Sequence, residues 1–192
     1  MNNIKKIDYT FIKSNNSNKA IVAFHGWQGN KDSFLPLVKY ELFNNYNWYL
    51  VQGPYLVDND TTRRTWSYEV KPGEWAFDEP KKLISDLFYN EIFKKFDSKN
   101  VYVIGFSLGA LVCYEIICSL NQPLGAIFPI SGFISNEIVL DDAQKETPII
   151  IGHGANDQIV PFERSKESYD VLKEQNANVK LMKYDSQHNI PI

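Results

Sequence analysis

The 192-residue sequence is poor in cysteine and histidine, and both shortages limit the chemistry available to the protein. Its two cysteines, Cys113 and Cys118, lie five positions apart in one apolar segment. On a helix they would point about 140° apart, so they cannot form a disulfide with each other. A chain without a disulfide framework is typical of a reducing compartment, and we expect a cytoplasmic protein. The cysteines and the three histidines show no clustering typical of metal ligands, and no glycine-rich phosphate loop is present, so we expect no metal or organic cofactor.

The sequence also lacks a strong charge bias and long apolar runs. Its net charge of −3 provides no basic field to attract nucleic acid. No run reaches ~18 uninterrupted apolar residues, so no membrane span is expected. Residues 1–8 lack the apolar core of a secretory signal. With 44% hydrophobic and 22% charged residues, the composition is globular. The length suits a single domain over residues 1–192, and we expect a monomer or a homodimer.

Short apolar runs alternate with amphipathic segments from residue 20 onward. This alternation predicts crossover connections, and hence an α/β fold with a mostly parallel central sheet of about seven strands and helices on both faces. The predicted strands cover residues 9–13, 20–24, 48–51, 101–104, 125–130, 148–152 and 179–184. The predicted helices cover residues 32–44, 80–97, 108–120 and 161–176.

Residues 53–79 are rich in aromatic side chains and show no clear period. A long loop in a small domain is usually functional, so we expect this segment to cover an active site. Trp66, Trp75 and Phe77 are candidate substrate-binding residues on this interpretation. The alternative is that the three rings close the hydrophobic core.

Residues 105–109 read GFSLG, directly after a predicted strand and at the start of a predicted helix. This is the G-x-S-x-G pattern in the strand–turn–helix context that it requires. Both glycines are needed because Cβ atoms beside so sharp a turn would collide with the neighbouring strands and the helix. The turn exposes the Ser107 hydroxyl, and the backbone N–H of Leu108 faces the group that this hydroxyl attacks. Ser107 is therefore the candidate nucleophile.

A serine hydroxyl needs an adjacent base, which a third group must orient. His25 and His153 each precede a glycine at the end of a predicted strand, and we interpret both as structural residues that bond loop backbone. His188, in the loop past the last strand, is then left by elimination as the general base.

The orienting acid should lie between the serine and this histidine. Asp157 alone lies both at the carboxyl end of a strand and before a helix, where chemistry collects in parallel sheets. The chain order Ser107, Asp157, His188 is the one expected on this architecture. The competing acids in this interval are Asp141, Asp142, Asp170 and Asp185. The loop after residues 20–24 should supply a second oxyanion donor, and the backbone N–H of Trp27 is placed to do so.

Three sequence segments carry a resemblance to a known family. Residues 25–27 read HGW, residues 105–109 read GFSLG, and residues 153–161 read HGANDQIVP, with His188 near the end. Together they resemble the phospholipase/carboxylesterase family of the α/β-hydrolase superfamily, which includes acyl-protein thioesterases. The resemblance implies a compact α/β-hydrolase fold, here without a helix after the histidine. It also implies that Ser107 is the nucleophile, Asp157 the acid and His188 the base. The implied oxyanion donors are Trp27 and Leu108.

These residues predict a serine hydrolase that cleaves a small-molecule carboxylic ester or thioester through an acyl-enzyme. A lactonase, a peptidase or an acyltransferase would use the same three side chains. The alternative from another class is a non-catalytic protein that binds a small ligand on the same fold. The presence of all three triad residues favours an enzyme.

Overall fold

The computed structural model describes residues 6–14, 17–72 and 74–191. Most of the N-terminal segment considered above, residues 1–5, lies outside the described residues. In chain order the strands are β1 (Tyr9–Ile12), β2 (Ala20–Phe24), β3 (Asn47–Val51), β4 (Tyr55–Val57), β5 (Asp60–Thr65), β6 (Glu69–Lys71), β7 (Glu74–Trp75), β8 (Val101–Phe106), β9 (Ala126–Ile130), β10 (Ile149–Gly154) and β11 (Val179–Tyr184). The α-helices are α1 (Leu35–Val38), α2 (Asp78–Leu87), α3 (Leu108–Glu115) and α4 (Phe162–Glu174).

The central sheet has seven strands within the described residues, in the order β1-β3-β2-β8-β9-β10-β11. Strand β1 pairs antiparallel with β3, and every other pairing in this sheet is parallel. The predicted architecture is therefore confirmed. The carboxyl ends of β2, β8, β9 and β10 lie side by side, which places the loops that follow them along one edge of the sheet.

Strands β2 and β3 are buried on both faces, which explains their continuous apolar runs. In β2, the side chains of Val22 and Phe24 belong to the larger core, which includes residues of α2, α3 and α4. Ile21 and Ala23 point the other way, into a smaller core with Leu37 of α1. All five residues of β2 are buried.

The prediction of one helix over residues 32–44 is wrong, because only a short part of this segment is α-helical. The segment forms a 3-10 turn over Lys31–Phe34, the four-residue α1, and a second 3-10 turn over Glu41–Phe43. Tyr40 has an extended backbone (ψ 130°), which interrupts the helix. Leu42, within the predicted range, is 75% exposed.

The remaining helices are shorter than predicted. Helix α2 ends at Leu87 and continues as a π-helical segment over Phe88–Ile92, whereas the sequence predicted one helix over residues 80–97. Helix α3 ends at Glu115, before a 3-10 turn over Ile117–Ser119. The described residues after β11, 185–191, contain no helix, as expected. No helix within the described ranges has the length and hydropathy needed to cross a membrane.

The aromatic segment at 53–79 is not an irregular loop. It contains two antiparallel hairpins, β4–β5 and β6–β7, which lie outside the central sheet. The turn of the first hairpin has positive φ at Asp58 (52°) and Asn59 (57°), as a two-residue type I′ turn requires.

Candidate active site

Ser107 lies on the sharp turn between β8 and α3, with φ 54° and ψ −117°. The glycines on either side have no room for a side chain. A Cβ atom on Gly105 would lie 2.1 Å from the carbonyl oxygen of Gly109, and one on Gly109 would lie 2.0 Å from the carbonyl oxygen of Phe24. Because these contacts are with backbone atoms, only glycine fits at both positions. The turn holds the serine in a left-handed conformation that is rare for a residue with a side chain.

The structure brings together three polar side chains that are far apart in sequence. His188 Nε2 lies 3.0 Å from Ser107 Oγ, across 81 positions of chain. His188 Nδ1 lies 2.7 Å from Asp157 Oδ2, across 31 positions. An ionised carboxylate only accepts hydrogen bonds, so Nδ1 carries the ring proton. Nε2 is then free to accept the proton of the Ser107 hydroxyl.

The Asp157 carboxylate is held on both of its oxygens, and the side chain is buried. While Oδ2 faces His188, Oδ1 accepts hydrogen bonds from the backbone N–H groups of Ile159 and Val160, each at 2.9 Å. Burial raises the pKa of Asp157, but the hydrogen bonds from Val160, His188 and Ile159 outweigh it and place the pKa below the usual value. The carboxylate is therefore ionised at neutral pH.

Backbone hydrogen bonds tie the loop that carries Asp157 to the loop that carries His188. The Ala155 N–H donates to the Tyr184 carbonyl at 2.7 Å, and the Asn156 N–H donates to the Ser186 carbonyl at 2.9 Å. The loops also touch at Gly154, where a Cβ atom would lie 2.2 Å from the Gln187 carbonyl oxygen. These contacts fix the positions of Asp157 and His188 relative to each other.

The HGW segment forms a tight turn against the serine. The Gly29 N–H donates to the Gly26 carbonyl at 3.0 Å, and Gln28 within the turn has φ 62°. A Cβ atom on Gly26 would lie 3.3 Å from Ser107 Cβ, so the turn is in close contact with the loop that carries Ser107. Trp27, the next residue of the turn, lines the same cavity as Ser107.

His25 holds this turn through backbone groups. The Gly53 N–H donates to His25 Nε2 at 3.0 Å, so Nδ1 carries the proton and donates to the Gly26 carbonyl at 2.7 Å. The Trp66 indole N–H donates to the His25 carbonyl at 2.7 Å. Burial lowers the pKa of His25 to about 4, helped by nearby Arg64 and opposed by the Gly26 bond. These contacts agree with the structural interpretation of His25.

A cavity of about 210 Å³ opens at the serine. Leu108, the first residue of α3, has an N–H without an intrahelical partner and lies at this cavity. The cavity wall is mostly apolar, and its residues are Trp27, Trp75, Ser107, Leu108, Leu111, Ser131, Gly132, Phe133, Ile159 and Val160. A second cavity of about 360 Å³ borders His188 and Phe106, and Trp27 lines it as well.

Comparison with known proteins assigns the chain to a family. The model of the phospholipase/carboxylesterase family matches residues 8–192, nearly the whole chain. The chain belongs to the phospholipase/carboxylesterase family. Acyl-protein thioesterase 1 homolog 1 of Dictyostelium discoideum is 31% identical over 105 residues, which cover 53% of this chain and 46% of that protein. Carboxylesterase SOBER1 of Arabidopsis thaliana is 24% identical over 156 residues, covering 73% of this chain and 68% of that protein.

Solved structures of other proteins share the fold. The crystal structure of SOBER1 superposes with a TM-score of 0.77 at 22% identity and covers 92% of both chains. The Bacillus cereus carboxylesterase superposes with a TM-score of 0.77 at 21% identity, covering 98% of this chain and 90% of that one. The α/β-hydrolase fold is thus confirmed. The chain spans less than half the length of the Dictyostelium relative that it matches.

The three candidate substrate-binding rings of this family member lie in different surroundings. Trp75 lines the Ser107 cavity. Trp66 is 0% exposed and Phe77 is 7% exposed, and both belong to the larger core. This placement favours the alternative interpretation for these two rings, that they close the core.

Sequence reasoning missed the remaining wall of the cavity. Ser131 and Phe133 follow β9, and Ile159 and Val160 follow Asp157. Both segments come after strands of the sheet, so the rule that sites form at carboxyl ends could have identified them. Among the described residues, no group of three or more His, Cys, Asp or Glu side chains is arranged to hold a metal ion.

Proposed function

We propose that the protein is a serine hydrolase that cleaves a carboxylic ester or thioester. Ser107 is the nucleophile, His188 the general base and Asp157 the orienting acid. The observation that carries this proposal is the pair of contacts around one imidazole, 3.0 Å to the Ser107 hydroxyl and 2.7 Å to the Asp157 carboxylate. A nucleophile and an oriented base within hydrogen-bond distance are the minimum that acyl transfer requires.

In the first half of the reaction, Ser107 Oγ bonds to the substrate carbonyl carbon while its proton moves to His188 Nε2. The carbonyl oxygen becomes an oxyanion, which the backbone N–H groups of Trp27 and Leu108 stabilise. Asp157 remains ionised and stabilises the imidazolium. The bond between the carbonyl carbon and the leaving oxygen or sulfur then breaks, and His188 gives its proton to the departing alcohol or thiol. The acyl group stays on Ser107.

In the second half, water replaces the leaving group. His188 takes one proton from the water as its oxygen bonds to the acyl carbon. The second oxyanion collapses and breaks the bond to Ser107, which regains its proton from His188. The acid product leaves, and both side chains return to their starting protonation states.

The two cavities supply a place for each half of the substrate. The acyl group fits the cavity at Ser107 and Leu108, whose wall of Trp75, Leu111 and Phe133 suits an apolar chain or ring. The leaving group fits the cavity that borders His188, since this side chain must protonate it.

We also propose a reducing, cytoplasmic location. Cys113 and Cys118 are both buried free thiols. Burial raises the pKa of Cys118 to about 12 and that of Cys113 well above its usual value, so neither forms a thiolate at neutral pH.

Hydrolysis of p-nitrophenyl esters and of acyl thioesters tests the proposed activity. We expect turnover by the natural protein and a loss of at least 10⁴-fold in Ser107→Ala. Ser119→Ala is the matched control, because this serine lies beyond α3 and bonds only the Ile116 carbonyl among the contacts described. Turnover that survives in Ser107→Ala would contradict the assignment, and its absence from the natural protein would favour a ligand-binding role.

A further inference from the structure

His153 is a buried imidazole that the proposed reaction does not use. It lies at the carboxyl end of β10 and is 0% exposed, with its ring edge-on to that of Phe162. Both ring nitrogens nevertheless have polar neighbours. Nδ1 lies 2.7 Å from Ser165 Oγ, and Nε2 lies 2.8 Å from the Val160 carbonyl oxygen. Nε2 also lies 3.3 Å from Asp157 Oδ2.

The neighbours of Nε2 determine where the ring carries a proton. A carbonyl oxygen and a carboxylate oxygen can only accept hydrogen bonds, so Nε2 must be the donor. Its N–H donates to the Val160 carbonyl, and Asp157 Oδ2 lies 3.3 Å from the same nitrogen. The oxygen that faces His188 therefore has a nitrogen of each imidazole close by, His188 Nδ1 at 2.7 Å and His153 Nε2 at 3.3 Å.

Val160 connects the same imidazole to the other carboxylate oxygen. Its N–H donates to Asp157 Oδ1 at 2.9 Å, while its carbonyl accepts the proton of His153. The backbone of Val160 is thus fixed on both sides. The carboxylate of Asp157 cannot turn without breaking either a direct contact to His153 or one that passes through Val160.

Ser165 anchors the opposite side of the ring. It lies on α4, is 0% exposed, and its hydroxyl is 2.8 Å from the Gly132 carbonyl oxygen as well as 2.7 Å from His153 Nδ1. Gly132 lines the cavity, and a Cβ atom there would lie 2.8 Å from the Ser107 carbonyl oxygen. The chain His153–Ser165–Gly132 therefore joins the acid loop to the wall beside the nucleophile.

We propose that His153 is a positioning residue for the hydrolytic site. It holds the Asp157 carboxylate in the orientation that keeps the proton of His188 on Nδ1 and leaves Nε2 open to Ser107. The proposal rests on the proposed function, because it assigns His153 to the same site. His153 acts through Asp157 and touches neither substrate nor the reacting atoms. A residue that only filled the core would affect stability and leave the state of His188 unchanged.

Imidazole NMR tests this proposal without any substrate. The chain has three histidines, so the ring ¹H–¹⁵N signals of His188 can be assigned by substituting the other two. The test variants are His153→Leu, which removes the donor, His153→Gln, which keeps an N–H near the position of Nε2, and Ser165→Ala. Ser168→Ala is the matched control: this buried serine lies one turn further along α4 and bonds Ile134 and Arg164 instead.

We expect His188 to be protonated at Nδ1 in the natural protein, in Ser168→Ala and in His153→Gln. In His153→Leu and Ser165→Ala we expect signals that average over both ring tautomers. Spectra of His188 that are the same in all variants would overturn the proposal. If a thermal melt shows that His153→Leu is not folded, the comparison of Ser165→Ala with Ser168→Ala decides whether His153 positions Asp157.

Ester hydrolysis supplies an independent measurement. We expect kcat to fall roughly tenfold in His153→Leu, less in Ser165→Ala, with KM unchanged, because a small displacement of the base slows the chemical step. His153→Gln should recover most of the loss. Equal kcat values in Ser165→Ala and Ser168→Ala would contradict the positioning role. An inactive natural protein would instead contradict the proposed function, and the NMR result would still decide whether His153 orients His188 through Asp157.

Discussion

Asp157 Oδ2 lies 2.7 Å from His188 Nδ1, and the loops that carry the two residues are joined by backbone hydrogen bonds. The carboxylate thus selects the ring tautomer whose free nitrogen faces Ser107. Asp157→Asn should keep the geometry but lose this selection, because an amide can present an N–H to Nδ1. We expect kcat/KM for ester hydrolysis to fall roughly 10⁴-fold. Asp170→Asn, on the exposed face of α4, is the control and should keep full activity. Near-normal activity of Asp157→Asn would exclude Asp157 as the orienting acid.

Because the imidazole of His25 is buried, we expect the protein to lose stability at mildly acidic pH. Its pKa is about 4 in the folded protein and about 6.5 in the unfolded chain, so the unfolded state binds more protons between these values. Stability therefore falls as the pH drops through this window. The contribution of His25 should lower the free energy of unfolding by about 2 kcal/mol between pH 7 and pH 5.

Urea unfolding of the natural protein and of His25→Gln at the two pH values measures this contribution. The glutamine side chain can accept the Gly53 N–H but does not titrate. We expect the pH dependence of His25→Gln to be weaker by about 2 kcal/mol. Equal pH dependence in the two proteins would show that His25 does not titrate as its buried position requires.

The close approach of Gly109 to the Phe24 carbonyl makes this glycine irreplaceable. In Gly109→Ala the new Cβ atom meets backbone of β2, so α3 or the strand must move. We expect a loss of roughly 3 kcal/mol in unfolding free energy, at the upper end for overpacking, together with loss of activity. Gly152→Ala is the control, since its Cβ atom would meet side chains rather than backbone, the Tyr184 ring at 3.3 Å and Ile130 at 3.6 Å. A thermal melt that is equal for both variants would contradict the packing argument.

Trp75 should set the length of the acyl group. It is the one aromatic ring of the three sequence candidates that lines the Ser107 cavity in the described structure. Trp75→Ala enlarges the cavity, so longer p-nitrophenyl esters should gain kcat/KM by roughly fourfold per added methylene that becomes buried. Tyr68→Ala, an exposed ring in the same segment, should leave the chain-length profile unchanged. An unchanged profile in Trp75→Ala would place the acyl group elsewhere.

Strands β2 and β3 could be predicted closely from the sequence because they are buried on both faces. Residues 20–24 were predicted with the bounds that the structure has, and so were residues 179–184, which form the partly exposed edge strand β11. The prediction of a helix at 32–44 was wrong because apolar residues spaced by four are also compatible with separate short turns. Nothing in this spacing shows that the backbone of Tyr40 is extended. The hairpins at 55–75 lacked a regular period. Their one available signal was the Asp58–Asn59 pair, which favours the positive φ of a two-residue turn.

The candidate site was more predictable than its surroundings. Ser107, Asp157 and His188 could be found because each follows a strand, and strands of a parallel sheet end at one edge. The core position of Trp66 could not be found, because it depends on a hydrogen bond to the His25 carbonyl that crosses 41 positions of chain. The contact between His153 and Asp157 likewise depends on how the loop after β10 folds back on the strand.

Covalent labelling by a fluorophosphonate probe, read by mass spectrometry of the digested protein, tests the central claim most directly. If Ser107 is the activated nucleophile, the natural protein gains the phosphonyl group on the peptide that contains Ser107. Ser107→Ala is then unlabelled, and His188→Ala is labelled far more slowly. Labelling of Ser107→Ala at the natural rate, or of a different residue in the natural protein, would contradict the account.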